Sequence, residues 1–81
     1  MIEFKKTVAV LGSECAIEEA ETLLGWLIEH REGRVNLKAV EQPHTAVMQV
    51  LMAAKPGVSV WPSNPDVSAW MRPMLAHEVT N

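Results

Sequence analysis

The chain has 81 residues, of which 48% are hydrophobic and 21% charged, with seven Lys and Arg against ten Asp and Glu. This length suits one domain, and the ordinary apolar content excludes disordered and fibrous proteins. The net charge of −3 and the dispersed basic residues argue against nucleic acid as a partner. We therefore expect a single globular domain over residues 1–81.

Targeting signals and the number of cysteines indicate where in the cell the protein is expected. No apolar run approaches the length of a membrane span, and no charged-then-apolar leader opens the sequence. Cys15 is the single cysteine, so it has no internal disulfide partner and no second thiol with which to build a zinc site. These features predict a cytoplasmic protein that does not insert directly into a membrane.

The first predicted elements are a strand and a helix. Residues 4–11 include Thr-Val-Ala-Val-Leu, a β-branched run that stops at Gly12 and predicts a strand. Residues 14–16 are either a very short second strand or the approach to a helix. From Ile17 the apolar spacing becomes helical, and Gly33 signals the stop. The predicted inward side of this helix comprises Ile17, Ala20, Leu24, Leu27, Ile28 and Arg31.

A strand, a helix and another strand follow. Residues 34–40 alternate apolar and polar side chains, which is typical of a strand. A second helix is predicted to open at Pro43, which is tolerated in a first turn, and to end at residues 55–57. Residues 57–61 predict a third strand. The expected core stripe of the second helix comprises Val47, Val50, Leu51 and Ala54.

The third helix completes the predicted order. Residues 64–66 combine a capping Asn, a Pro at the first helical position and an acid in the first turn. Pro73 is expected to interrupt the helix, and residues 76–81 are expected to fray. The expected core face comprises Val67, Trp70, Met71 and Met74. The βαβαβα order predicts an α/β fold, with a small, mostly parallel or mixed sheet of three to four strands and about three helices.

Several segments resemble the STAS domain, named for sulphate transporters and anti-sigma factor antagonists. The resemblance covers residues 8–75 and lies in four places: the strand ending at Gly12, residues 16–20, residues 35–40 and residues 44–54. Family members often carry, at the start of the second helix, an Asp, then Ser or Thr, a small residue and Gly. The matching hydroxyl here is Thr45, with His44 in place of the Asp and Val47 in place of the Gly.

The resemblance implies a non-catalytic regulatory domain that binds another protein near the start of its second helix. Anti-sigma factor antagonists bind a partner kinase there, and phosphorylation of the hydroxyl residue breaks the complex. Thr45 is accordingly the candidate phosphoacceptor. Other family members are small accessory subunits of membrane lipid-transport ATPases, which is the alternative function. The implied partner is a regulatory kinase or anti-sigma-factor-like protein, or a transporter ATPase subunit.

Thr45 has two interpretations that do not depend on the family. A phosphate on Thr45 would be stabilised by the free N–H groups of a helix N-terminus and would add enough charge to disrupt a docked partner. The alternative is that Thr45 is simply a helix-capping or first-turn residue.

The second helix carries the predicted partner-binding surface. Met48 and Met52 are expected beside the core stripe, with Thr45 and Gln49 flanking them and His44 at the edge. Methionine adapts to varied partners, so a second apolar strip on this helix predicts a docking surface. The alternative is that the two methionines widen the contact with the core. The same surface is compatible with a homodimer.

Three tryptophans receive different interpretations. Trp26 falls on the polar face of the first helix, where an aromatic residue is either a partner contact or the cover of a loop. We include Trp26 among the candidate partner-binding residues. Trp61, which ends a strand, and Trp70 are expected in the core.

Candidates for catalysis are few. His30, His44 and His77 lack metal-ligand spacing and are expected to be surface or cap residues. Cys15 has no adjacent His or Lys to activate it and is expected to be a small buried residue. No Gly-rich phosphate loop is present. We expect no enzyme activity, no metal and no cofactor; a small-ligand-binding module is the less favoured alternative.

Overall fold

The computed structural model describes residues 1–75. The predicted fraying from Ala76 and the role of His77 lie outside these residues. The elements in chain order are β1 (Ile2–Phe4), β2 (Val8–Leu11), β3 (Glu14–Cys15), α1 (Ile17–Glu29), β4 (Arg34–Asn36), β5 (Gln42–Pro43), α2 (Thr45–Ala54), β6 (Gly57–Val60) and α3 (Pro65–Leu75).

A four-stranded mixed sheet has the order β1-β2-β4-β6. Strand β1 is antiparallel to β2, with Ile2 opposite Leu11, whereas β2, β4 and β6 are parallel, with Ala9 opposite Val35 and Val35 opposite Val58. Both α1 and α2 connect neighbouring parallel strands in the same direction across the sheet, so right-handed crossovers place them on one face. The predicted α/β fold with a small mixed sheet is confirmed.

The first predicted strand is in fact a hairpin. Residues 4–11 do not form one strand, because the chain turns after Phe4 and the N–H of Lys5 donates to the carbonyl of Val8 at 2.8 Å. A turn built from Lys-Lys-Thr carries no Gly, Pro or Asn signal. This is why the β-branched pattern alone did not reveal β1.

The strand predicted over residues 34–40 ends at Asn36. The side-chain oxygen of Asn36 accepts a hydrogen bond from the N–H of Lys38 at 2.9 Å, and the N–H of Val40 donates to the carbonyl of Leu37 at 3.0 Å. Local bonds of this kind compete with the strand ladder and turn the chain. Leu37 and Val40 are nevertheless fully buried, which explains their strand-like pattern.

A second, two-stranded parallel sheet joins the entrances of α1 and α2. It pairs Glu14 with Gln42 and Cys15 with Pro43. The short strand considered at residues 14–16 is therefore present, whereas Pro43 does not open the second helix. The helix begins two residues later, because Pro43 belongs to β5 and His44 provides the cap.

The core is one cluster between the sheet and the helices. From α1 it takes Ala20, Leu23 and Leu27. The predicted inward side of this helix was wrong in part: Ile17, Leu24 and Ile28 are 57%, 37% and 66% exposed. Apolar residues cover more than one side of α1, so periodicity could not decide which side faces the sheet. The helix ends at Glu29, and Arg31 lies beyond it in the following turn.

The rotation of α2 also differs from the prediction. Its buried residues are Val47, Met48 and Leu51, whereas Val50 is partly buried and Ala54 is exposed. The predicted end of α2 is confirmed. Lys55 adopts a left-handed conformation with φ 52° and donates its N–H to the Leu51 carbonyl.

Helix α3 begins as predicted, since the side-chain oxygen of Asn64 accepts from the N–H groups of Asp66 and Val67. Pro73 does not end the helix, because it lies in the last turn. The carbonyl of Ala69, which would accept the N–H of any other residue at position 73, belongs to an exposed residue. The predicted core face was wrong in part, because Trp70 and Met74 are exposed. The buried residues are Val67, Ser68, Met71 and Leu75.

Candidate functional site

An open groove of about 550 Å³ lies between α1 and α2. Its lining is mainly apolar and comes from one side of each helix. The residues are Ile17, Glu18, Ala20, Glu21 and Leu24 from α1, and Ala46, Gln49, Val50 and Ala53 from α2.

Differences in side-chain length explain why the groove exists. Helix α1 presents the long side chains of Ile17 and Leu24 to this side, whereas α2 presents Ala46 and Ala53. The two helices contact each other, but Ala46 and Ala53 are too short to fill the space beside Ile17 and Leu24. Exposed leucine and isoleucine are thus left beside a concave surface, an arrangement that fits ligand or partner binding.

The charge around the groove has one sign. Helix α1 carries four glutamates and no Lys or Arg, and α2 carries no charged residue. Glu18 and Glu21 are exposed at the rim of the groove. The seven basic residues of the chain all lie outside these two helices. The groove is therefore apolar inside and acidic at one edge.

His44, rather than Thr45, caps α2. The Nδ1 atom of His44 accepts a hydrogen bond from the N–H of Ala46 at 2.9 Å, so the neutral ring carries its proton on Nε2. Thr45 is the first helical residue, and its side chain is exposed. Thr45 therefore lies in the first turn of α2, with its side chain accessible at the entrance of the helix.

The residues of the predicted partner-binding surface on α2 lie in different environments. His44, Thr45, Gln49 and Met52 are exposed, but only Gln49 lines the groove. Met48 is 7% exposed and belongs to the core, against 43% for Met52. Of the two interpretations of the methionines, Met48 fits the one in which it widens the contact with the core, because α2 is rotated so that Val47, Met48 and Leu51 point inward. Met48 offers a partner little surface.

Trp26 lies on the other flank of α1, away from the groove. Its ring stacks on the imidazole of His30 at a centroid distance of 4.3 Å and contacts the ring of Phe4 at 5.6 Å. It also lies against Gly33, where an added Cβ would come within 2.7 Å of the indole. Of the two interpretations, the structure supports the cover of a loop: Trp26 closes the turn that follows α1.

A second cavity, of about 520 Å³, lies where β3 and β5 lead into the helices. It is lined by Met1, Glu14, Cys15, Ala16, Glu19, Gln42 and His44. Burial raises the pKa of the Cys15 thiol, so the thiol stays protonated at neutral pH and is a poor nucleophile. Within residues 1–75, no three His, Cys, Asp or Glu side chains converge to hold a metal ion.

Glu19 acts locally at the entrance of α1. One carboxylate oxygen accepts from the N–H of Ala16 at 2.8 Å, and the other accepts from the N–H of Ile2 at 2.9 Å. The Ala16 hydrogen bond is the main reason that the pKa of Glu19 lies below its ordinary value. Glu19 therefore ties β1 to the helix and does not contribute to the rim of the groove.

Sequence reasoning did not identify the groove. It assigned Ile17, Leu24 and Val50 to the core and gave no role to Ala46 or Ala53. The available signal was the small side chain at positions 46 and 53, seven residues apart and on one side of a helix. Two small residues at this spacing predict a groove only when the neighbouring helix is known, because the same spacing is common on buried faces.

Comparisons with known proteins give no match: no protein-family model, curated protein or solved structure is similar to this chain. None of the helices within residues 1–75 combines the length and the apolar character needed to cross a membrane.

Proposed function

We propose that this chain is a non-catalytic protein-interaction domain of a regulatory kind, acting in the cytoplasm, and that its partner docks on the surface formed by α1 and α2. The observation that carries the proposal is the open apolar groove between the two helices. The resemblance to anti-sigma factor antagonists supports the same surface, since their partner binds near the start of the second helix.

The exposed apolar side chains favour docking energetically. Ile17 and Leu24 line the groove, and Ile28 lies one turn beyond Leu24 on the same side of α1. Burying apolar surface contributes roughly 25 cal/mol per Å². A partner that covers these three side chains therefore removes from water apolar surface that the chain's own fold leaves exposed.

Thr45 is positioned to regulate such docking. It precedes Gln49 by one helical turn, and Gln49 lines the groove. A phosphate on the exposed Thr45 hydroxyl would add a charge of about −1.5 to −2 at the end of the groove. The free N–H groups of the first turn would tolerate that charge, while a partner packed tightly against the Thr45 side chain would be displaced by the bulk of the phosphate.

The experiment is a pull-down with two matched variants of α2. Ala53→Arg places a long, charged side chain in the groove, whereas Ala54→Arg makes the same change at the next residue, which is exposed and does not line the groove. We expect a partner protein to be retained by the wild-type chain and by Ala54→Arg, and to be lost with Ala53→Arg.

Thermal melting of both variants controls for folding. Retention of the same partner by Ala53→Arg at wild-type levels would show that the groove is not the docking surface. The identity of the retained protein then separates the regulatory function, indicated by a kinase or sigma regulator, from the transport alternative, indicated by an ATPase subunit of a transporter.

A further inference from the structure

We propose that the occupant of the groove is an amphipathic helix of the partner protein, with its apolar side inserted between α1 and α2 and with Lys or Arg residues beside Glu18 and Glu21. This inference rests on the proposed function and specifies the chemistry of the partner. Three observations support it: the length of the apolar strip, the nature of the two walls and the charge at the rim.

The apolar strip has the length of a short helix. Ile17, Leu24 and Ile28 follow one another along one side of α1, at 57%, 37% and 66% exposure. From Ile17 to Ile28 the helix rises about 16 Å at 1.5 Å per residue. Three turns of a partner helix cover this distance and present apolar residues at intervals of three and four.

The walls of the groove favour a helix over an extended segment. Both walls are sides of α-helices, which offer an extended peptide few unpaired backbone N–H or C=O groups outside their first and last turns. An extended peptide would find no sheet edge there and would leave its own backbone groups unpaired as it lost water. A helix satisfies its backbone internally and needs only side-chain contacts from the groove.

The charge at the rim selects a basic occupant. Glu18 and Glu21 are exposed, and no Lys or Arg on α1 or α2 neutralises them. Glu19 is engaged with the N–H groups of Ala16 and Ile2. Charge complementarity therefore favours Lys or Arg on the partner, and it disfavours an acidic segment or an anionic lipid surface.

The probes are two labelled peptides of about 15 residues, long enough for four helical turns. Both carry leucines at helical spacing; one has lysines flanking the leucines, and the other has glutamates at the same positions. Anisotropy titrations use the full 81-residue chain. We expect the lysine peptide to bind at least about tenfold more tightly than the glutamate peptide, and its affinity to fall as salt is added.

Charge reversal on the protein tests the location. Glu18→Lys/Glu21→Lys is compared with Glu3→Lys/Glu41→Lys, a double variant with the same change of net charge at exposed positions outside α1 and the groove. We expect the first pair to reverse the preference in favour of the glutamate peptide and the second pair to keep the wild-type preference. Circular dichroism checks that both variants fold.

Each failure has a separate meaning. Equal shifts in the two double variants would show that net charge, rather than the rim, selects the peptide, and this would overturn the inference. Equal binding of both peptides would overturn the basic partner. Absence of binding by either peptide would overturn the helical occupant. The proposed function would survive any of these outcomes if the pull-down still distinguished Ala53→Arg from Ala54→Arg.

Discussion

The two flanks of α1 differ in how far the rest of the chain covers them. On the flank facing β1, Trp26 is packed between Phe4 and His30, and the carboxylate of Glu19 accepts hydrogen bonds from two backbone N–H groups. On the flank facing α2, Ile17 and Leu24 remain exposed beside the groove. One flank is closed by the chain itself, and the other is left open.

The difference does not come from a shortage of apolar residues. The open flank carries the more hydrophobic side chains, whereas the closed flank uses one aromatic ring and one carboxylate. What differs is the opposing surface: a loop and a strand come close to Trp26, while the α2 side of the groove is lined by two alanines, Val50 and Gln49. An apolar flank facing small residues is available to a partner, and this is what the predictions below test.

The largest effect is expected from two adjacent leucines. Leu23 is fully buried, so Leu23→Ala should lower the free energy of unfolding by about 2–5 kcal/mol. Leu24 lies on the open flank, and Leu24→Ala should cost less than about 1 kcal/mol. Urea denaturation of the two variants measures the difference. Similar losses for both would mean that the open flank is part of the core.

A smaller effect is expected where Trp26 covers the turn. A Cβ at Gly33 would lie 2.7 Å from the indole and 2.9 Å from the His30 carbonyl oxygen, so Gly33→Ala should destabilise by about 1–3 kcal/mol. The matched control is Gly25→Ala in α1, where an added Cβ would meet nothing within 4 Å apart from its chain neighbours and the helix backbone, and a gain of about 0.5–1 kcal/mol is expected.

A double variant sharpens this test. Trp26→Leu removes the ring that the new methyl group would meet, so the losses from Gly33→Ala and Trp26→Leu should add up to more than the loss in the double variant. Thermal unfolding measures the three variants. If the two losses were strictly additive, Trp26 would not contact the methyl group added at position 33.

The smallest effect concerns Glu19 and is pH-dependent. Its pKa is lowered in the folded chain, mainly by the Ala16 hydrogen bond, so the stabilisation is present above the ordinary glutamate pKa of about 4.3 and is lost as the pH falls through the lowered value. Glu19→Gln should cost about 1 kcal/mol at pH 7 and less at pH 3. Urea denaturation at the two pH values measures the cost, and an equal cost at pH 7 and pH 3 would show that these hydrogen bonds do not depend on the charge of Glu19.

Patterns within single elements were predicted well from the sequence. Helix α1, the Lys55-Pro56-Gly57 stop and the Asn64 cap all follow from contacts within a few residues, and all are confirmed. The pairing of Cys15 with Pro43 was missed because the two residues lie on either side of α1 in the sequence. The Lys5 turn is local, but its Lys-Lys-Thr sequence carries no Gly, Pro or Asn signal.

The candidate site was predicted only in part, and two methionines show why. Met48 and Met52 belong to the same helix and the same predicted strip, yet one is buried and the other exposed. Their positions on a helical wheel differ by about 40°, since four residues at 100° make slightly more than one turn. Whether the side chain at each of these two positions is buried or exposed therefore depends on how α2 packs against its neighbours.

The sequence by itself determined the α/β class, the three helices, the Lys55-Pro56-Gly57 stop and the Asn64 cap, because hydrophobic period and capping act over a few residues. Only the tertiary structure decided that α1 and α2 lie side by side, that Ala46 and Ala53 face Ile17 and Leu24, and that a groove with an acidic rim results. The physical reason is that a groove is the space between two surfaces, and neither helix encodes the distance to the other.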